Sequence, residues 1–273
     1  MGQEPWGLNE ALAARLSRLP ERDVRRVLGL GLPAIARGAA AVALRLPDGA
    51  LVSQKTGTTC GAAVLLMLAA QREPELAWFL STGERIEGRV PEFLLGARIG
   101  TRGTTTHGGA PAGARAGAGA SGPTDRRLAA VQVAVRRRTN RWTFWPGVFF
   151  GSAPWGYVRE VRRVTGRPVE AVYSALGPLG PDRLDVVDRA VAAVDRGVLV
   201  PFLAGPSAGQ SRARLPRHYV LLVGHDGDTL RFYEPASGEV RRVPLTAVRG
   251  GDVGGNDVFG GWGAVYGVFL PEA

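Results

Sequence analysis

The sequence predicts an α+β protein, because helical patterns precede a group of strand-like patterns along the chain. Residues 60–71 (CGAAVLLMLAAQ) are apolar on nearly all sides, which is typical of a buried helix. Residues 219–223, 229–233 and 239–243 are strand-like runs separated by turns that contain Gly or Pro, which indicates an antiparallel sheet. Residues 263–270 predict a last strand. We therefore expect a helical first part that packs on a C-terminal sheet.

The start of the chain predicts a helical extension in front of the main domain. Residues 9–18 carry apolar side chains at helical spacing, with an Asn that can cap the helix and a Pro that follows it. Residues 41–46 and 51–52 predict two short strands around a Pro-Asp-Gly turn. We therefore expect an N-terminal helical extension over residues 1–40 and one larger domain over residues 41–273.

A low-complexity tract of Gly, Ala and Thr interrupts the larger domain at residues 100–124. The tract has almost no bulky apolar side chain, so burial cannot offset the entropy lost when it becomes ordered. We expect a flexible insertion at this place.

The middle of the chain predicts further helices and one buried strand. Residues 125–138 have an amphipathic pattern that Asp125 can cap, and residues 184–196 have another that ends before Gly197. Residues 198–203 predict the buried strand. The aromatic stretch at residues 142–155, which includes Trp142, Trp145 and Trp155, predicts a packed loop that leads into a helix.

The charge of the chain comes from scattered arginines. The formal net charge is +10, and Lys55 is the only lysine. A basic surface attracts acidic partners, but Arg136, Arg137 and Arg138 form the only run of three, and aromatic residues do not alternate with the arginines. We therefore do not expect a nucleic-acid partner.

Cys60 is the only cysteine, which excludes an intramolecular disulfide and a zinc site with several cysteines. We expect neither a metal nor another cofactor. Residues 1–26 contain four acidic residues, which is wrong for a signal peptide, and no run of about 18 apolar residues predicts a membrane span. The expected location is the cytoplasm.

Four residues have the types and spacing of a nucleophilic site. Cys60 begins the predicted buried helix, where free backbone N–H groups and the helix dipole favour a thiolate. His218 lies at the start of a predicted strand and can act as the proton carrier. Glu234 lies in the turn Glu-Pro-Ala-Ser-Gly and can orient the imidazole. Gln54, six residues before Cys60, can provide a second donor for an oxyanion beside the backbone N–H of Cys60.

These motifs resemble those of the papain-like cysteine peptidases, in which a Gln lies six residues before a Cys that starts the central helix, followed by a His on a strand. The closer similarity is to the bacteriocin-processing leader peptidases and their stand-alone bacterial relatives. Cys60-Gly-Ala, His218-Tyr-Val-Leu-Leu-Val-Gly and the turn from Glu234 to Gly238 follow the patterns of that branch, with Glu234 where the family has Asp. The resemblance implies a papain-like fold and cleavage of a peptide or isopeptide bond in a peptide or protein substrate.

Other functions fit the same residues. A Cys-His pair activates any acyl group, so a transglutaminase-like or amidase activity remains open. A catalytically inactive papain-like module that binds a peptide or a partner protein is another alternative, and the Glu at the third position favours it. A binder of nucleic acid or of an anionic surface is the remaining one. The sequence leaves association with an export system open, and it assigns no role to His107 or His225.

Overall fold

The structure is a computed structural model. It describes residues 14–18, 41–46, 49–86, 90–95, 122–141, 151–174, 177–207, 210, 218–250, 253 and 257–272.

In the part of the chain that is described, seven strands form one sheet, and every neighbouring pair is antiparallel. The strands are β1 (Ala41–Ala43), β2 (Val169–Tyr173), β3 (Val200–Gly205), β4 (His218–Asp226), β5 (Thr229–Glu234), β6 (Glu239–Pro244) and β7 (Ala264–Pro271). Their order across the sheet is β1-β6-β5-β4-β3-β7-β2. Strands β4 and β5, which carry the predicted His and Glu, are therefore direct neighbours in the interior of the sheet.

Helices cover both faces of this sheet. They are α1 (Cys60–Ala70), α2 (Pro74–Thr82), α3 (Pro123–Thr139), α4 (Pro154–Thr165), α5 (Asp185–Asp195) and α6 (Leu245–Arg249). Short 3-10 turns lie at Glu92–Leu94, Pro181–Arg183 and Asp257–Phe259. The mixture of helices with an antiparallel sheet confirms the predicted α+β class.

Helix α1 is surrounded on all sides. Every one of its residues is buried, and it packs against β4, α2, α3 and α4. An apolar helix has no face to present to water, so a central position gives it the lowest free energy. Full burial of one Leu or Val side chain contributes about 1.5–3 kcal/mol. The many such side chains of α1 therefore hold its N-terminus, and with it Cys60, in a fixed place.

The opposite face of the sheet is covered by α5 and α6. Their apolar side chains join those of the central strands in a second buried cluster, which includes Val187, Phe202 and Phe232. Burial on both faces explains why β3 and β7 are continuous apolar runs instead of alternating ones.

Several predicted elements are confirmed. Helix α1 begins at Cys60, and α5 is followed by Gly197 in a left-handed conformation with φ 77°, as predicted for a helix end. Strands β3 to β7 confirm the predicted strands with small changes at their ends. Strand β1 confirms the first predicted strand in part, and Arg45 and Leu51 form a bridge across the turn that follows it.

Other predictions are wrong or lie outside the described residues. Helix α3 begins at Pro123, so the last residues of the predicted low-complexity tract are helical, whereas residues 100–121 are not described. Asp125 does not cap this helix, since its Oδ1 instead accepts a hydrogen bond from Nζ of Lys55 at 2.6 Å. Of the predicted N-terminal extension only residues 14–18 are described, and residues 14–16 are helical. Within the described ranges no helix has the length and apolarity that a bilayer crossing requires.

Candidate active site

The candidate nucleophile lies at the first position of α1. The side chain of Cys60 is 2 % exposed and makes a hydrogen bond with the side chain of His218. The backbone N–H groups of Gly61 and Tyr219 also hydrogen-bond to it. A sulfur atom that receives several donors at a helix N-terminus is well placed to carry negative charge.

His218 connects the sulfur atom to a carboxylate. It is the first residue of β4, it is 5 % exposed, and its Nε2 lies 2.7 Å from Oε1 of Glu234. Since Nε2 is bonded to Glu234, the ring nitrogen that remains for Cys60 is Nδ1. The pairing of Leu221 with Tyr233 places His218 and Glu234 at diagonal positions on one face of the β4–β5 ladder. Sheet register therefore determines the contact.

The turn after β5 fixes the carboxylate of Glu234. Oε1 accepts a hydrogen bond from the backbone N–H of Ala236 at 2.8 Å, and Oε2 accepts one from Ser237 at 2.7 Å. Gly238 closes the turn with φ 69°, and its N–H donates to the carbonyl of Glu234 at 2.8 Å. Both carboxylate oxygens thus accept hydrogen bonds from the turn, and Oε1 also lies 2.7 Å from the imidazole.

The three groups stabilise one another's charged forms. Burial raises the pKa of Cys60, but the hydrogen bond and charge of His218, together with the backbone hydrogen bonds from Tyr219 and Gly61, lower it by more, so the net shift is downward. Burial lowers the pKa of His218, but hydrogen bonds to Cys60 and Glu234 raise it to about 9 overall. Burial also raises the pKa of Glu234, whereas His218 and the two backbone N–H groups lower it by more. All three shifts therefore favour the charged forms, a thiolate, an imidazolium and a carboxylate.

Gln54 joins this site through its backbone. Its N–H donates to the carbonyl of Pro235, next to Glu234, at 2.7 Å. Its side-chain oxygen is buried and has no hydrogen-bond partner among the described residues. A half-turn of the amide exchanges this oxygen for the N–H₂ group, so the side chain can offer a donor at the same point.

Gln132 in α3 is a positioning residue that sequence reasoning missed. Its Oε1 accepts hydrogen bonds from the backbone N–H of Lys55 at 2.8 Å and from Oγ1 of Thr59 at 3.0 Å, and its Nε2 donates to the carbonyl of Ser53 at 2.8 Å. Gln132 is 1 % exposed, so these bonds are strong constraints on the loop from Gln54 to Cys60. The sequence contained a signal for this role, because Gln132 lies four positions after the apolar Leu128 and therefore on the apolar face of the predicted amphipathic helix.

The loop before Cys60 leaves helix α1 without a side-chain cap. Thr59 occupies the N-cap position of α1, but neither it nor Thr58 caps the helix with its side chain. Instead, Oγ1 of Thr59 accepts a hydrogen bond from the N–H of Thr56 at 3.1 Å and bonds to Gln132. The first N–H groups of α1 are therefore left for the sulfur and for an incoming oxyanion.

Close packing surrounds the residue after the nucleophile. A Cβ on Gly61 would lie 3.0 Å from Oγ of Ser152 and 3.1 Å from the ring of Tyr219. The hydroxyl of Tyr219 donates to the carbonyl of Ser152 at 3.1 Å, and Tyr157 stacks on Tyr219 with ring centroids 4.0 Å apart. Only glycine fits between these groups without displacing them.

A glycine also covers the His–Glu contact. Gly260 has φ 62°, and a Cβ there would lie 3.0 Å from Nε2 of His218 and 3.3 Å from Oε1 of Glu234. The backbone of this loop thus excludes water from the hydrogen bond, which strengthens it.

His225 is not part of this site. His225 lies at the other end of β4, and its Nε2 is 2.7 Å from Oδ1 of Asp195. His107 lies outside the described residues. Among the described side chains no group of three or more His, Cys, Asp or Glu is arranged to hold a metal ion.

Comparison with known proteins adds no relatives to this description. No protein-family model matches the chain, and a search of curated proteins finds no significant match. What the site can do therefore follows from its residues and their geometry.

Proposed function

We propose that the chain is a cysteine-type hydrolase with a papain-like arrangement that cleaves a peptide or isopeptide bond. The observation that carries the proposal is the buried hydrogen-bonded series from Cys60 through His218 to Glu234, with the sulfur at a helix N-terminus. The same three groups in the same order activate nucleophiles in acyl-transfer enzymes on unrelated folds.

The first half of the reaction forms an acyl-enzyme. The thiolate of Cys60 attacks the carbonyl carbon, and a carbon–sulfur bond forms while the carbonyl oxygen becomes an oxyanion. His218, as the imidazolium, gives its Nδ1 proton to the leaving amine, and the carbon–nitrogen bond breaks. Glu234 keeps the ring in place and stabilises its positive charge at 2.7 Å.

The second half releases the acid. Neutral His218 takes a proton from water, the resulting hydroxide attacks the thioester, and the carbon–sulfur bond breaks to restore the thiolate and the imidazolium. The backbone N–H of Cys60 and the N–H₂ of Gln54 serve as donors to the oxyanion in both halves. An amine in place of this water would give the transferase alternative with the same residues.

The test is the rate of Cys60 alkylation by iodoacetamide as a function of pH. Because Cys60 is the only cysteine, the label reports this site without further mutations. We expect fast alkylation below pH about 7 that slows in His218→Ala, and no change in His225→Ala, the matched control. Titration of thiolate ultraviolet absorbance gives the same pKa independently of reagent access.

An unperturbed Cys60 thiol would be the opposite result. The enzyme proposal would be contradicted if the Cys60 thiol titrated with a pKa of about 8.5, the value of an ordinary cysteine, and if His218→Ala left that pKa unchanged. This result would leave the inactive module that binds a peptide or a partner protein.

A further inference from the structure

Arg136 is a partly buried cation beside the loop that carries the nucleophile. It lies in α3, and its Nη1 donates to Oγ1 of Thr58, two residues before Cys60. Thr56 and Gly57 are exposed and Thr58 is partly exposed, so Arg136 reaches the solvent-facing side of this loop. The contact therefore lies on the partly exposed loop that leads directly to Cys60.

No carboxylate neutralises Arg136 within the described part of the chain. By contrast, Arg138 of the same helix contacts Glu160 at 2.9 Å, and Lys55 of the loop contacts Asp125 at 2.6 Å.

The cation is held at an energetic cost. Burial and the charge of the adjacent Arg137 both lower the pKa of Arg136. An anion from outside the chain would relieve both effects, and a carboxylate fits best because a guanidinium presents N–H donors in a fork that matches its two oxygens. Thr58 accepts from Nη1, and a guanidinium carries five donors in all.

We propose that Arg136 selects substrates with an acidic side chain next to the scissile bond, an inference that rests on the proposed function. Two residues of extended chain span about 7 Å, so a group bound beside Thr58 lies within one or two residues of a carbonyl bound at Cys60. The substrate class is then a peptide with Asp or Glu at one position within two residues of the cut.

The experiment is cleavage of a peptide mixture from a digested proteome, with the cut sites read by mass spectrometry. We compare the wild type with Arg136→Gln, Arg136→Lys and Arg136→Glu. The matched control is Arg137→Gln, which removes the same charge from an exposed neighbour on the same helix. Pairs of peptides that differ only by Glu or Gln at the enriched position then give kcat/KM ratios.

We expect the wild type and Arg137→Gln to prefer the Glu peptide by about 10- to 100-fold, the size of one charge-assisted hydrogen-bonded pair. Arg136→Gln should bring the ratio close to one, Arg136→Lys should retain part of it, and Arg136→Glu should favour a Lys peptide. The alkylation rate of Cys60 should be unchanged in Arg136→Gln.

Two results would overturn the inference and leave the proposed function intact. One is cleavage without a preference for an acidic residue. The other is a lowered alkylation rate in Arg136→Gln, which would make Arg136 a support for the loop instead of a contact for the substrate. An ordinary thiol titration, or no cleavage of the peptide mixture, would instead contradict the proposed function itself.

Discussion

Nε2 of His218 and Oε1 of Glu234 lie 2.7 Å apart in a site where each is at most 5 % exposed. Low local polarity strengthens such a bond, and it makes an unpaired charge costly. The orientation and charge of the imidazole therefore depend on this carboxylate as well as on Cys60.

The first prediction is that Glu234→Gln lowers kcat/KM by about 10- to 100-fold. The amide keeps the size of the side chain but loses the charge that raises the pKa of His218, which is worth roughly 1.4 kcal/mol for each tenfold change. Peptide cleavage and the pH profile of Cys60 alkylation measure the effect. Glu239→Gln, a change to a glutamate paired with Arg241, is the control and should leave both unchanged.

The second prediction concerns the pH dependence of activity. The reactive pair requires an ionised Cys60 and a protonated His218, so kcat/KM should rise as pH passes the lowered pKa of Cys60 and fall as pH passes about 9, the pKa of His218. In Glu234→Gln the alkaline limb should move to lower pH, because the imidazolium loses its partner. An alkaline limb that stays in place would contradict the role of Glu234.

Local patterns in the sequence were sufficient for the elements that carry the site, but not for what holds them together. The apolar run from Cys60 and the turn at Glu234 are short-range signals, because burial and turn geometry act on neighbouring residues. The bonds from Gln132 to the loop before Cys60 join residues more than 70 positions apart, and no local rule specifies them. Helix α2 and strand β2 were missed.

Trp155 is a second case in which local sequence patterns were not sufficient. As part of an aromatic stretch it was predicted to pack, yet it is 49 % exposed in the first turn of α4. Hydrophobicity predicts the free energy that a side chain would gain from burial, but not which side of a helix faces the core. In α4, Tyr157 and Val161 are buried in the core, and this orientation leaves Trp155 facing water.

The third prediction is that Gln132→Leu destabilises the protein and slows Cys60 alkylation. The substitution leaves the N–H of Lys55 and the carbonyl of Ser53 without their partners, and each buried unpaired group costs about 1–3 kcal/mol. Urea unfolding gives the free energy, and iodoacetamide labelling gives the effect on the site. Arg137→Gln on the exposed side of the same helix should change neither quantity. A normal labelling rate in Gln132→Leu would show that the loop holds its place without this contact.

The fourth prediction compares two glycines with positive φ. Gly260→Ala and Gly227→Ala place an alanine at φ 62° and 56°, so both should lose about 1 kcal/mol of stability from backbone strain. A Cβ at Gly227 meets nothing within 4 Å, whereas one at Gly260 meets Nε2 of His218 at 3.0 Å. Only Gly260→Ala should therefore lose activity strongly. Equal activities of the two variants at equal stability would mean that the loop does not position the imidazole.

The fifth prediction tests the close packing behind the nucleophile. Gly61→Ala puts a methyl group 3.0 Å from Oγ of Ser152 and 3.1 Å from the ring of Tyr219, distances that require these groups to move. Tyr219 follows His218 directly, so a shift of its ring also moves the imidazole away from Cys60. We expect the rate of Cys60 alkylation near neutral pH to fall by about tenfold or more, equivalent to roughly 1.4 kcal/mol. Gly57→Ala, in the same loop with nothing within 4 Å of the new Cβ, should label at the wild-type rate, and a Gly61→Ala variant that does so too would remove the steric argument for glycine at this position.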